Sequence, residues 1–260
     1  MPDCPLVMGI LNVTPDSFSD GGLYTDVQKA VDAARCMITE GARIIDIGGE
    51  STRPGYPVVS VDEELKRVLP VIKELKNDGI LLSIDTQKPE VAQKAIQAGA
   101  HIINNISSLC NQIMAPLAAK LNCPLVLTSN QTEDEKIMED AVAEVLYDLQ
   151  NMLQFALQSG VKRENIILDV GLGFGKTPEQ NLLLIKNLVK FKEIGYPLLA
   201  GASRKSFIGF FSPETRVDQR LGGSLAAALT AVQNGADIVR VHDVAATVQA
   251  LKIIKAIENS

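Results

Sequence analysis

Residues 198 to 209 read LLAGASRKSFIG: an apolar run from Leu198 to Ala200 stops at Gly201, and Ser203, Arg204, Lys205 and Ser206 follow at once. A short apolar run bounded by glycine predicts a buried strand. The cations and hydroxyls cannot continue into a core, because burying an unpaired ammonium or hydroxyl is strongly unfavourable. They belong at the strand's end, facing water or a ligand. A second stretch, IVRVHD at 238 to 243, has the same design, with Arg240 and His242 in alternation and so on one side of the strand. Two such strand ends in one chain predict one shared site.

Working outward, eight apolar runs suit buried strands, at 6–11, 44–47, 81–84, 102–104, 124–127, 166–168, 198–200 and 238–241. They recur about every 33 residues, the size of a strand plus a crossover helix. Helical signals fill the intervals. Val27, Ala30, Val31, Ala34, Met37 and Ile38 share a face, with Gly41 as the stop. Ser60 and Glu63 predict a capping box before Leu65, Val68, Leu69, Ile72 and Leu75, with a kink at Pro70. Thr86 opens a short helix closed by Gly99, and residues 137–158 make the longest helical stretch. Thr177 caps the next helix, with Pro178 in first position and Gln180 completing the box. Leu221, Leu225, Leu229 and Val232 form a further stripe, and 243–258 the last helix.

Regular alternation without a linker or a break in composition predicts a single (β/α)8 TIM barrel over residues 1–260, with a doubly wound open sheet as the rival. The 260 residues can bury a large core without staples. That core is aliphatic, with 46% hydrophobic residues, no Trp and 4% aromatics, which suits helices on a parallel sheet. A net charge of −6 offers no general basic field for nucleic acid or an anionic membrane. Cys4, Cys36, Cys110 and Cys123 show neither metal-ligand nor disulfide spacing, and read as reduced thiols of a cytoplasmic protein. The opening MPDCPLVMGILN has no basic region, and its apolar run is too short for a signal or membrane segment.

A barrel demands that function sit at the C-terminal ends of its strands. Polar groups fall there one strand after another: Asn12, then Asp46 with GGESTR, Asp85 with Thr86, Asn104 with Asn105, Asp169, Ser203 with Lys205, and Arg240 with His242. Helix capping explains any one of these and explains the set poorly. Asp85, Asn104 and Asp169 together offer acceptors and an amide to a flat, nitrogen-rich ring, with Lys205 beside Asp169 as an ion pair or a ring contact. NVTPDSFSDGG at 12 to 22, which carries Phe18, and GGESTRPG at 48 to 55, which carries Arg53, are long enough to be mobile loops at the mouth. GLGFGKT at 171 to 177 is no nucleotide loop, since position 170 is Val, and its glycines read as close packing and loop flexibility. His242 between Arg240 and Asp243 reads as an anion contact, whereas His101, before the fourth strand, belongs to the opposite rim and is structural.

GILNVTPDSFSDGG, DIGGESTRPG, SIDT, INNIS, LDVGLGFGK, GASRKS and RVHD, in this order from Gly9 to Asp243, together resemble the dihydropteroate synthase family. The resemblance implies a (β/α)8 homodimer that joins 6-hydroxymethyl-7,8-dihydropterin diphosphate to 4-aminobenzoate, and so a target of sulfonamide mimics of the latter. Position by position it implies that Asp85, Asn104, Asp169 and Lys205 form the pterin pocket and that Asn12 helps hold Mg2+ with the diphosphate. Arg53, Arg240 and His242 match the anion site, and Thr52, Pro54 and Ser203 the surroundings of the aminobenzoate. Phe174 and Gly201, from the same motifs, join the substrate contacts; Asp85, Lys205, Arg240 and His242 are the implied catalytic groups. The implied mechanism is dissociative: diphosphate departs, and the arylamine captures the pterin methylene cation. Three departures stand out. LTSNQT, Leu127 to Thr132, replaces a Met-His-Met-Gln type run bordering the pterin, Asn105 stands where Asp is common, and Val170 where Pro is common. Two rival readings follow: a paralogue that keeps the scaffold as a binding or partner protein, and a pterin-barrel methyltransferase working with a corrinoid protein. SRKS and the Arg/His strand end speak against the latter, because methyl transfer has no diphosphate to hold.

Overall fold

A computed structural model describes residues 5–14, 22–50, 58–106, 111–130 and 140–260, without the side chains of 22–25 and 111. All eight apolar runs are strands: β1 (Leu6–Asn12), β2 (Ile44–Gly48), β3 (Leu81–Asp85), β4 (Ile102–Asn105), β5 (Leu125–Thr128), β6 (Ile166–Asp169), β7 (Leu198–Ala200) and β8 (Ile238–Val241). They are parallel and close in sequence order, with β8 returning to β1. That closure excludes the open doubly wound sheet.

The register shows how the barrel makes a site. Met8, Ile44, Ile102, Val126, Ile167, Leu199 and Ile238 form an apolar cluster of their own, separate from the larger core between strands and helices. They are the inward side chains. Since strand side chains alternate faces, the residues two further along also point inward. On strand after strand these are polar or small: Asp46, Asn104, Thr128, Asp169, Gly201 and Arg240, with Asp85 paired in register to Asn104. The lower barrel is filled with aliphatic side chains and its upper layer carries the chemistry.

Ten helices surround it among the described residues: α1 (Gly22–Glu40), α2 (Val61–Leu75), α3 (Pro89–Ala98), α4 (Asn111–Leu121), α5 (Ala141–Gln158), α6 (Pro178–Lys186), α7 (Leu188–Lys192), α8 (Ser206–Phe211), α9 (Leu221–Gln233) and α10 (Val244–Glu258). Gly41 ends α1 at φ +109°, a conformation that favours glycine. The Thr177/Gln180 box forms in full at the start of α6. At α2 only half of the expected box forms: Ser60 Oγ accepts from Glu63 N at 3.3 Å. The Glu63 carboxylate instead takes Arg67 Nε at 3.0 Å. The helix continues through Pro70 to Leu75. Thr86 does not open α3, which starts at Pro89; its hydroxyl accepts from Lys88 N at 3.1 Å in the preceding turn. α1, at 19 residues, exceeds the 18 of α5, and residues 137–139 lie outside the described residues. On α9 the buried line is Ser224, Ala228 and Ala231 rather than the leucines, because small side chains let the helix approach closely. No described helix is long and apolar enough to cross a membrane. Cys36 and Cys123 are free thiols, and Cys4 and Cys110 lie outside the described residues.

Candidate active site

Arg240 is the hub of the upper layer. Its Nε donates to Asp46 Oδ2 at 2.6 Å and its Nη2 to Asp85 Oδ2 at 2.5 Å, so one guanidinium on β8 reaches both β2 and β3. Asn104 Nδ2 donates to Asp46 Oδ2 at 2.9 Å. Two carboxylates thus share one cation in a nearly dry site, and one negative charge is uncompensated. Burial accordingly pushes Asp85 up to about 7; Arg240 opposes this and the Asp46 charge adds to it. For Arg240 burial pulls downward, but Asp46 and Asp85 outweigh it and hold the guanidinium firmly charged. Asp46 Oδ1, Asp85 Oδ1 and Asn104 Oδ1 are buried without a hydrogen-bond partner among the described residues. Each such atom costs about 1–3 kcal/mol unless something donates to it. Acceptors converging in this way call for a ligand rich in N–H groups.

Opposite lies Asp169, whose Oδ1 accepts from Gly171 N at 2.9 Å and whose pKa burial raises, with Lys205 opposing. Lys205 Nζ lies 4.1 Å from the centroid of the Phe174 ring and donates to the Leu172 carbonyl. Burial lowers Lys205 to about 7, against the pull of Asp169. The loop carrying Phe174 is shaped by Gly171, Gly173 and Gly175, at φ +69°, +80° and +59°. A side chain on Gly171 would run into the Ser129 carbonyl, and one on Gly173 into Lys205. The glycines serve close packing, as their spacing indicated.

Ser203 Oγ lies 3.0 Å from His242 Nδ1 and accepts from His242 N at 3.2 Å, which fixes the imidazole at the β7–β8 rim. Arg204 is turned away to Asp243, with Nε–Oδ2 at 3.1 Å. Gly201 follows β7 beside Arg240, where a Cβ would sit in ordinary contact, 3.7 Å from Arg240 Cβ. Asn12, half-buried, ends β1 opposite Gly48. Thr52, Arg53, Pro54 and Phe18 lie outside the described residues. His101 accepts from Leu82 N through Nδ1 at 3.1 Å at the opposite rim, a structural contact.

The family described as Pterin binding enzyme matches residues 8–242. The chain belongs to this family. Among curated relatives of this pterin-binding enzyme, the dihydropteroate synthase of Clostridium beijerinckii is 50% identical over 252 residues, covering 95% of this chain and 92% of its own. Among solved structures, Xanthomonas albilineans dihydropteroate synthase with 4-aminobenzoic acid superposes with a TM-score of 0.94 at 45% identity, over 99% of this chain and 94% of that one. The same enzyme in complex with 7,8-dihydropteroate gives 0.91 at 43%, over 99% and 95%.

Asp46 is the pocket residue that the sequence reading left as a mere strand-end group. Its signal was there: a carboxylate at the inward parity of the apolar strand IIDIG needs a buried partner. The charges of this pterin-binding enzyme also set its stability. Asp85, raised from 3.8 to about 7, contributes stability that is complete below its unfolded pKa and lost as pH rises through 7. Lys205, lowered from 10.5 to about 7, contributes stability present above its unfolded pKa and lost as pH falls through 7. Their joint contribution is therefore least near neutrality. Urea midpoints across pH should show Asp85→Asn flattening the limb below pH 7 and Lys205→Met the limb above it. Unchanged limbs in both variants would contradict the burial of these charges.

Proposed function

We propose that the chain is a dihydropteroate synthase, joining 6-hydroxymethyl-7,8-dihydropterin diphosphate to 4-aminobenzoate and releasing diphosphate. The observation that carries this is the convergence of Asp85, Asn104 and Asp169 inside one barrel mouth, with acceptor atoms left over and Lys205 beside them. A pterin presents ring N–H and amino donors to such acceptors. Positive charge develops on the pterin methylene as diphosphate leaves, and the two carboxylates stabilise it in a site where water does not screen them. No nucleophilic side chain is required. His242, oriented by Ser203, and Arg53 with Arg240 make the anion side, and Thr52, Pro54, Ser203, Gly201 and Phe174 the remaining substrate contacts.

Mg2+ fits this donor set. The described residues contain no cluster of three or more carboxylate, imidazole or thiolate groups, while Asn12 offers one carboxamide oxygen at the rim. Mg2+ commonly keeps several waters and takes most of its other ligands from substrate phosphates, so a single protein oxygen suffices. When bound it supplies charge neutralisation on the diphosphate. The reading includes a cytoplasmic homodimer and sensitivity to sulfonamides; Phe210, Phe211, Val217 and Leu221 are exposed apolar side chains close in sequence, of the kind a second copy would cover. The test is a steady-state assay. Dihydropteroate should form from the two substrates with Mg2+, and rates should fall at least about tenfold with excess EDTA and return with Mg2+. Pterin binding without product would favour the non-catalytic paralogue.

A further inference from the structure

The upper barrel layer holds a polar group with no part in the contacts of the candidate pocket. Thr128, the last residue of β5, pairs in register with Asp169, and the parity that turns Val126 into the barrel turns Thr128 inward as well. Its side chain is 0% exposed, and Oγ1 has no hydrogen-bond partner among the described residues. A valine of the same shape would fill this position without leaving a buried hydroxyl unmet. The rest of the segment is engaged in holding the structure. The Ser129 carbonyl accepts from Lys176 Nζ at 3.0 Å, and Ser129 Oγ, also buried without a hydrogen-bond partner among the described residues, lies at the outward parity of the strand, away from the pocket. Asn130 Nδ2 donates to the Ile106 carbonyl at 2.7 Å. Thr128 differs in facing into the barrel, with a spare donor and acceptor in register with the Asp169 carboxylate.

We infer that Thr128 is a specificity-determining residue of the pterin pocket, its hydroxyl hydrogen-bonding the ring edge next to the group held by Asp169. This rests on the dihydropteroate synthase reading. Thr128 lies in the LTSNQT run, so this chain carries a hydroxyl in that part of the pocket wall. A hydroxyl can turn to donate or accept, which suits a ring edge where both kinds of atom alternate.

Thr128→Val should weaken 6-hydroxymethyl-7,8-dihydropterin and its diphosphate by the same factor, about tenfold by calorimetry. KM for 4-aminobenzoate should hold, and the urea midpoint of the unliganded protein should stay level or rise. Thr128→Ser should restore binding. A purely structural threonine would behave in the opposite way: loss of the hydroxyl would lower the unliganded midpoint. Pterin affinity within twofold of the unaltered chain, a loss confined to the diphosphate, a falling unliganded midpoint, or no rescue by serine would each overturn the assignment. If the unaltered chain itself neither binds pterin nor forms dihydropteroate, the parent reading fails instead. If it does both and Thr128→Val is silent, only the role of Thr128 falls.

Discussion

Lys205→Ala lowers kcat/KM for pterin diphosphate by about 10²–10³-fold while leaving the unliganded barrel folded. The ammonium is buried between Asp169, the Phe174 ring and the Leu172 carbonyl, and burial draws its pKa to about 7. An ammonium held there meets the ligand without having to shed bulk water at the moment of reaction. Removing it also frees Asp169 from the charge that chiefly opposes its burial, which shifts that carboxyl further upward and weakens its charge towards the ring. The fold does not depend on the ammonium, because its burial is itself unfavourable; the unliganded midpoint at pH 7 should stay level or rise. Lys205→Arg should not rescue, since a planar fork cannot replace a compact ammonium above Phe174. Asp85→Asn attacks the same chemistry from the other wall and should lower kcat/KM to a similar extent. Near-normal rates in both Lys205→Ala and Asp85→Asn, measured with saturating 4-aminobenzoate, would remove these residues from the pocket.

The barrel was legible because each strand is a short, mostly apolar run, and the spacing left room only for crossovers. The inward face was legible too, once Arg240 and His242 were seen to alternate. Pairing across the barrel was hidden. Nothing local to IVRVHD says that Arg240 spends its guanidinium on Asp46 and Asp85, which lie 194 and 155 residues away in sequence. α4 escaped notice because NQIMAPLAAKL has Pro116 in its interior. Half of the α2 box was lost to Arg67, an i,i+4 partner that competes for the Glu63 carboxylate. On α9 the leucine stripe misled because closeness of approach, set by Ser224 and Ala228, outweighed side-chain size.

Arg240→Ala is expected to destabilise the unliganded protein by about 3–5 kcal/mol, since it removes the shared cation and leaves two buried carboxylates facing each other. Read from sequence alone, Arg240 belonged to the anion site, and its loss would weaken diphosphate more than bare pterin. The contacts with Asp46 and Asp85 add a second expectation. Those carboxylates border the ring site, so bare pterin should weaken as well, with the diphosphate losing further affinity beyond that shared loss. The pH profile separates the two effects. Without the guanidinium the folded-state pKa of Asp85 rises still higher, so the variant should regain stability relative to the unaltered chain as pH falls from 8 towards 5. Adding Asp85→Asn to Arg240→Ala removes one of the two repelling charges and should return part of the lost stability at pH 8. The destabilisation reads out in urea midpoints and the ligand effects in calorimetry. A double variant no more stable than Arg240→Ala would mean that charge repulsion is not what Arg240 suppresses, and that the guanidinium serves the barrel by packing alone.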